Sequence, residues 1–182
     1  MRTILVTGGA GFIGSHLSER LLKEGNRVLV IDNFNNYYDP AIKRNNVEEV
    51  KKTCIENNIS LDNYKVFEGD IRDNEFLKEV FSNKIDSIMH LAACAGVRPS
   101  IEDPSLYYDV NITGTVNLLE RCRENNIKQF VFASSSSVYG NNEKVPFAES
   151  DRVDNPISPY AATKKSGELL CHTYHHLFLP LW

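Results

Sequence analysis

Hydrophobic positions along the 182 residues fall into two kinds of run that alternate. The short kind is near-continuously apolar: Ile4-Leu5-Val6, Val28 to Ile31, Tyr64 to Phe67, Ser87 to Leu91 and Phe130 to Ala133. Such runs predict strands buried on both faces of a parallel sheet. The longer kind repeats its apolar residues at helical spacing. Phe12 to Glu24 puts Ile13, Leu17, Leu21 and Leu22 on one face. Ala41 to Asn57 carries Val47, Val50 and Cys54, and Asp73 is placed to cap a helix whose inner face is Phe76, Leu77, Val80 and Phe81. Leu106 to Asn125 reads as one long helix with Val110, Thr113, Val116 to Leu118 and Cys122. The last helix opens at Ser158 as cap with Pro159 in its first turn, and runs to about His176. Strand, helix, strand, repeated, predicts a doubly wound, Rossmann-like α/β sheet of about five parallel strands with right-handed crossovers.

Composition agrees with one globular domain: 42% hydrophobic and 24% charged residues in a length that suits a single core. The formal charge of −4 gives no reason to expect nucleic acid or an anionic membrane as partner. No apolar run approaches the roughly 20 residues of a membrane helix. Met1-Arg2 and the apolar residues after it are interrupted at once by Gly8, Gly9 and Gly11, too soon for a signal-peptide core, so the expected compartment is the cytoplasm. Cys54, Cys94, Cys122 and Cys171 form no Cys-x-x-Cys pair and are expected as reduced, mostly buried thiols.

The first strand runs directly into Thr7-Gly8-Gly9-Ala10-Gly11-Phe12-Ile13-Gly14, which opens the first helix. Gly9, Gly11 and Gly14 satisfy Gly-x-Gly-x-x-Gly, and Gly8, Gly11 and Gly14 the looser Gly-x-x-Gly-x-x-Gly. A backbone that must turn tightly, approach a pyrophosphate and aim the helix N-terminus at it requires small residues here. Asp32 ends the second strand 18 positions after Gly14. A carboxylate at that place can accept from both adenosine-ribose hydroxyls and repel a 2′-phosphate, so the expected cofactor is NAD and not NADP.

Tyr160 and Lys164 stand four apart at the start of the last helix, on one face. The ammonium and the helix N-terminus both favour phenolate, which lets a tyrosine take and return a hydroxyl proton near neutral pH. Ser134 to Ser137 follow the fifth strand, at the strand end where ligands sit in this architecture, and a serine hydroxyl there can bridge the tyrosine oxygen and a substrate hydroxyl.

Taken together these residues resemble the extended short-chain dehydrogenase/reductase family of NAD-dependent epimerases and dehydratases, and within it the UDP-glucuronate 4-epimerase branch. The resemblance covers the chain to about Leu177 and adds Asp32-Asn33, Gly69-Asp70-Ile71, His90-Leu91-Ala92-Ala93, Asn111, Val138-Tyr139-Gly140 and Asn155 through Lys164 to the motifs above. Asn36 to Pro40 with Lys43-Arg44, and Ala95 to Ser100 including Arg98, narrow the branch. The resemblance implies NAD-binding roles for Gly8, Gly11, Phe12, Ile13, Gly14, Asp32 and Asn33. It puts Asp70 and Ile71 at the adenine, Leu91, Ala92 and Ala93 along the cofactor groove, and Asn111 behind it. Ser135, Tyr160 and Lys164 become the catalytic residues, the last two also touching the cofactor, with Ser135, Ser136 and Arg98 toward a UDP-sugar. The implied reaction is epimerisation at C4 through a 4-keto sugar. Dehydratases of the family carry Asp-Glu where Ser136-Ser137 stand here, which argues against dehydration.

The sequence also departs from the family. Members continue past the Tyr-Lys helix into another strand and a small substrate domain, whereas here Phe178 to Trp182 follow. The expectation is a domain of residues 1–177, an aberrant apolar tail of 178–182, a shortened or frame-shifted product, and impaired grip on the UDP-sugar. An NAD-binding remnant without activity, or a related dehydratase or decarboxylase, are the alternatives. In the family, helices equivalent to 106–125 and 158–176 form a dimer seam, so a homodimer is implied. Cys94 replaces an expected glutamine. His172, His175 and His176 have helical spacing that suits a metal, but the family carries paired histidines here without one, so no metal is expected.

Overall fold

The computed structural model describes residues 1–178, in which five strands form one sheet in the order β3-β2-β1-β4-β5: β1 (Thr3–Thr7), β2 (Arg27–Asp32), β3 (Tyr64–Glu68), β4 (Ser87–His90) and β5 (Phe130–Phe132). β1 pairs in parallel with β2 (Leu5 opposite Leu29) and with β4 (Leu5 opposite Ile88), and β2 pairs in parallel with β3. β1 and β2 are buried almost throughout. The edge strands differ from the expectation of burial on both faces. β3 buries Tyr64 and Phe67 but leaves Lys65 and Glu68 exposed, and β5 leaves Val131 47% exposed. An edge strand lacks a neighbour on one side, so one flank stays open to water.

Among the described residues seven α-helices accompany the strands: α1 (Phe12–Lys23), α2 (Pro40–Glu56), α3 (Asn74–Phe81), α4 (Val97–Glu102), α5 (Pro104–Tyr108), α6 (Gly114–Glu124) and α7 (Pro159–Phe178). Their ends have local causes. α1 closes on Gly25 at φ +80, with Gly25 N–H donating to Leu22 O and Asn26 N–H to Leu21 O, a Schellman-type stop. Asp39 caps α2 by accepting from Ala41 N at 2.9 Å, with Pro40 at the first position. Asp73 caps α3 through Glu75 N and Phe76 N, worth about 1 kcal/mol. Ser158 caps α7 through Ala161 N. Among the described residues no helix is long and apolar enough to cross a membrane.

The long helix expected over 106–125 is broken. A π-helical turn, Asp109–Thr113, separates α5 from α6, and the short α4 precedes both. From the start of α6 the Thr115 hydroxyl donates back to Asn111 O of this turn at 2.6 Å, and a side chain bonding into the backbone ladder distorts it. α7 runs two residues beyond His176, to Phe178, whose ring meets Tyr174 edge-on at 5.3 Å. The expected apolar tail therefore begins inside α7, and the rest of it lies outside the described residues.

The chain divides into two compact units. One comprises Met1–Ala92 with Glu120–Val131; the other comprises Ala93–Leu119 and the described residues from Phe132 onward. In the first, Ile4, Val6, Val28 and Val30 of the sheet pack with Leu21, Leu22, Val47, Val50 and Cys54 of α1 and α2. In the second, α7 packs with α4, α5, the π-helical turn and the 3-10 turn Ser136–Tyr139.

Candidate active site

The first unit builds an anion cradle. Gly8 has φ +69, and a Cβ there would come within 2.8 Å of Ala92 N; a Cβ on Gly14 would stand 2.3 Å from Gly8 O. Only glycine lets this turn fold so tightly onto the strand ends. α1 starts without a side-chain cap and without an acidic residue in its first turn, and its first turn-closing bond is Ser15 N–H to Gly11 O at 2.9 Å. The N–H groups ahead of it, with the helix dipole, suit a phosphate. Phe12 and Ile13 are 75% and 66% exposed. Ile13 thus leaves the buried helix face on which its spacing places it and flanks the cradle instead. At the end of β1, Thr7 Oγ1 accepts from Ala92 N at 3.2 Å and meets His90 Nδ1 at 2.6 Å. Leu91 N–H donates to Thr7 O, which fixes Leu91 and Ala92 beside the turn.

Asp32 lies at the C-terminal end of β2, 6% exposed. Its Oδ1 accepts from Phe34 N at 2.9 Å and from Lys43 Nζ at 3.4 Å, and its Oδ2 from Ala10 N at 3.2 Å. A carboxylate offers about four lone-pair sites. Three are engaged, so one acceptor site, on Oδ2, is open, and not the two that a pair of ribose hydroxyls requires. Asp70 is more fully engaged: Arg72 donates from N, Nε and Nη2, all at 2.9 Å, and Asn33 Nδ2 at 3.1 Å. The Arg72 guanidinium beside it lowers the Asp70 carboxyl to about 2. The carboxylate that the resemblance puts at the adenine is thus already filled by protein donors. Ile71 is 4% exposed, while Asn33 is exposed with its Oδ1 accepting from Asn35 N.

The second unit holds the reactive pair. Tyr160 sits in the first turn of α7, where the dipole is positive, with its ring edge-on to Tyr107 at 6.3 Å. The Tyr107 hydroxyl donates to Ala95 O. Lys164, one turn on, is 4% exposed; its Nζ donates to Ala133 O at 2.8 Å and lies 6.0 Å from the Tyr160 ring centroid. Burial lowers its amine from 10.5 to about 8, so near neutrality it is still mostly protonated. Ser135 extends the chain beyond Ala133, and its Oγ accepts from Ser137 N and donates to Ser137 Oγ, both at 3.2 Å. Ser136 and Arg98 are exposed, and Ala93 is half-buried. Gly167 lets α7 come close: a Cβ there would stand 2.2 Å from the Phe132 ring.

Asn111 is 3% exposed and its amide is spent on the protein. Oδ1 accepts from Cys94 N at 2.7 Å; Nδ2 donates to Cys94 O at 3.0 Å and to Thr163 Oγ1 at 3.0 Å. It clamps the loop after β4 to α7 between Tyr160 and Lys164, and Cys94 contributes through its backbone. Thr163, Thr7 and Lys43 hold candidate site residues in place, a role the sequence does not assign to them. The first two are threonines inside recognised motifs, and the position of Lys43 in the first turn of α2 was the available signal for the third. His172, His175 and His176 lie exposed along α7.

A parallel sheet with a glycine turn after its first strand defines the class as a Rossmann-like nucleotide-binding fold, and a Tyr-x-x-x-Lys pair stands on a later helix of the chain. The sequence profile described as GDP-mannose 4,6 dehydratase matches residues 5–179, and the chain belongs to that family of NAD-dependent epimerases and dehydratases. It is 50% identical over 178 residues to UDP-glucuronate 4-epimerase 3 of Arabidopsis thaliana, covering 97% of this chain and 39% of that protein. UDP-glucuronate 4-epimerase of Thermodesulfobacterium geofontis is 49% identical, with 96% of this chain and 51% of the relative covered. Among solved structures, a variant of Bacillus cereus UDP-glucuronic acid 4-epimerase in complex with UDP-4-deoxy-4-fluoro-glucuronic acid and NAD superposes with TM-score 0.83 at 38% identity, over 97% of this chain and 53% of that one. UDP-glucose 4-epimerase from Bifidobacterium longum, in complex with NAD+ and UDP, gives TM-score 0.84 at 33% identity, over 96% and 49%. The chain thus spans about two fifths to one half of the length of these proteins.

Proposed function

We propose that this chain carries the NAD-binding and proton-transferring groups of a UDP-sugar 4-epimerase, with UDP-glucuronate as substrate and UDP-galacturonate as product. The observation that carries the reading is the buried Lys164 ammonium, anchored on Ala133 O one turn behind the Tyr160 phenol at the head of α7. The relatives named UDP-glucuronate 4-epimerase support the sugar. Bound NAD supplies a hydride acceptor that returns the hydride within the same turnover. Tyr160 takes the proton of the sugar 4-hydroxyl as hydride leaves C4, and gives it back once the 4-keto sugar has presented its other face. Lys164 favours the phenolate through its charge, and the Ser135 hydroxyl bonds the reacting oxygen. The open N–H groups at the start of α1 hold the pyrophosphate, with Phe12 and Ile13 beside it and Asp32 on the ribose. Arg98 and Ser136 are the groups offered to the nucleotide sugar. Self-association through faces of α6 and α7 belongs to the same reading, and analytical ultracentrifugation tests it.

The family profile is described as a dehydratase, which gives a second reading, elimination of water after oxidation at C4. Ser136-Ser137, where that chemistry calls for Asp-Glu, speaks against it. Incubating the protein with NAD and UDP-glucuronate and resolving the products by anion exchange separates the two. UDP-galacturonate supports epimerisation; a dehydrated or decarboxylated nucleotide sugar replaces it.

A further inference from the structure

Asp32 is the carboxylate expected to reject a 2′-phosphate, yet it is not a free charge. Lys43, in the first turn of α2, lies with it in a buried pair, the two side chains 7% and 5% exposed and Nζ 3.4 Å from Oδ1. The ammonium also donates to Asn35 Oδ1 at 3.0 Å and stands 5.2 Å from the Tyr38 ring centroid. Tyr38 abuts the phosphate turn, its hydroxyl 3.6 Å from where a Gly11 Cβ would be. Asn46, one turn further along α2, donates to Ala10 O at 2.9 Å. The neighbouring cation is engaged elsewhere: Arg44 forks onto Glu68 at 2.8 and 2.7 Å and lies 3.7 Å over the Phe34 ring.

We propose that Lys43 is a specificity-setting residue of the dinucleotide site, cancelling the charge of Asp32 while leaving one of its acceptor sites open. The inference rests on reading the glycine turn as an NAD site. A pair without net charge repels a phosphate far less than a lone carboxylate does. The preference for NAD is therefore moderate and is set by a balance that two substitutions tip in opposite directions. Lys43→Met unmasks the carboxylate and should weaken NADP relative to NAD by about tenfold or more, as expected for a nearby unscreened charge. Asp32→Asn unmasks the ammonium and should make NADP bind more tightly than NAD. The double variant should lose that gain, and Lys43→Arg should keep the wild-type ratio.

The experiment is calorimetric titration of NAD and NADP into the wild type and these variants at fixed ionic strength, with circular dichroism to verify folding. The readout is the ratio of the two dissociation constants, since a merely structural role for Lys43 would weaken both dinucleotides together. An unchanged ratio in Lys43→Met, or continued NAD preference in Asp32→Asn, overturns the proposal. If Lys43→Met does not fold, Asp32→Asn and the double variant decide. A wild type that binds neither dinucleotide overturns the underlying NAD reading instead.

Discussion

Replacing Lys164 by Met should make the protein more stable and less active, and the size of the effect follows from the structure. The side chain is 4% exposed, and burial lowers its amine from 10.5 to about 8. That drop is worth roughly 3 kcal/mol against the charged folded form at neutral pH. The penalty is fully present below about pH 8 and is relieved as pH rises toward the unfolded value of 10.5, because there the unfolded chain holds a proton that the folded chain does not. Methionine fills similar space without a charge, but it leaves Ala133 O without its 2.8 Å donor, at a cost of about 1 to 2 kcal/mol. At pH 7 the variant should therefore gain about 1 to 2 kcal/mol net. The packing and hydrogen-bond parts do not titrate. The stability of the wild type relative to Lys164→Met should then climb by roughly 3 kcal/mol between pH 7 and 10.5. Urea unfolding at a series of pH values measures this as a shift of midpoint at constant slope. A difference that stays flat across that interval refutes the claim that a buried, costly ammonium is kept behind Tyr160.

Three further perturbations have defined outcomes. Gly167→Ala puts a Cβ 2.2 Å from the Phe132 ring, and despite alanine's better helix propensity it should lower stability by about 1 to 3 kcal/mol through overpacking, read as a reduced urea midpoint. Gly14→Val adds a Cβ 2.3 Å from Gly8 O and should abolish NAD binding in calorimetry; retained affinity would contradict the tight-turn argument. Asp70, lowered to about 2 by Arg72, contributes stability that is present above the ordinary value of 3.8 and is lost as pH falls toward 2. Asp70→Asn should thus be the less stable form at pH 6, and the gap between the two proteins should close as acid unfolding is followed down to pH 2.

The strands and caps were legible because their causes are local. Short β-rich apolar runs, Asp73 ahead of α3 and Ser158-Pro159 ahead of α7 each state their structure within a few residues. The break in 106–125 was not legible. It coincides with Asn111 bonding Cys94 and Thr163, 17 and 52 positions away, and helical periodicity carries no record of such distant partners. Helical spacing puts Ile13 on one face with Leu17, Leu21 and Leu22, but it lies 66% exposed, since it stands in the first turn of the helix, ahead of the part that packs on the sheet. The candidate site was legible as residue types in order, glycines, Asp32, serines, Tyr160 and Lys164. Its occupancy was not: that Lys43 and Ala10 fill Asp32, and Arg72 and Asn33 fill Asp70, emerges only from the fold.

In the proposed function Tyr160 moves the proton in an NAD-dependent epimerisation at C4. Its most direct test compares wild type and Tyr160→Phe for NAD affinity and for conversion of UDP-glucuronate to UDP-galacturonate with NAD present. Product should form with the wild type and not with the variant, and NAD affinity should stay unchanged to within about threefold, since the lost hydroxyl costs less than about 1 kcal/mol of cofactor binding. Equal turnover by the two proteins, or no product from a wild type that binds NAD, would contradict it.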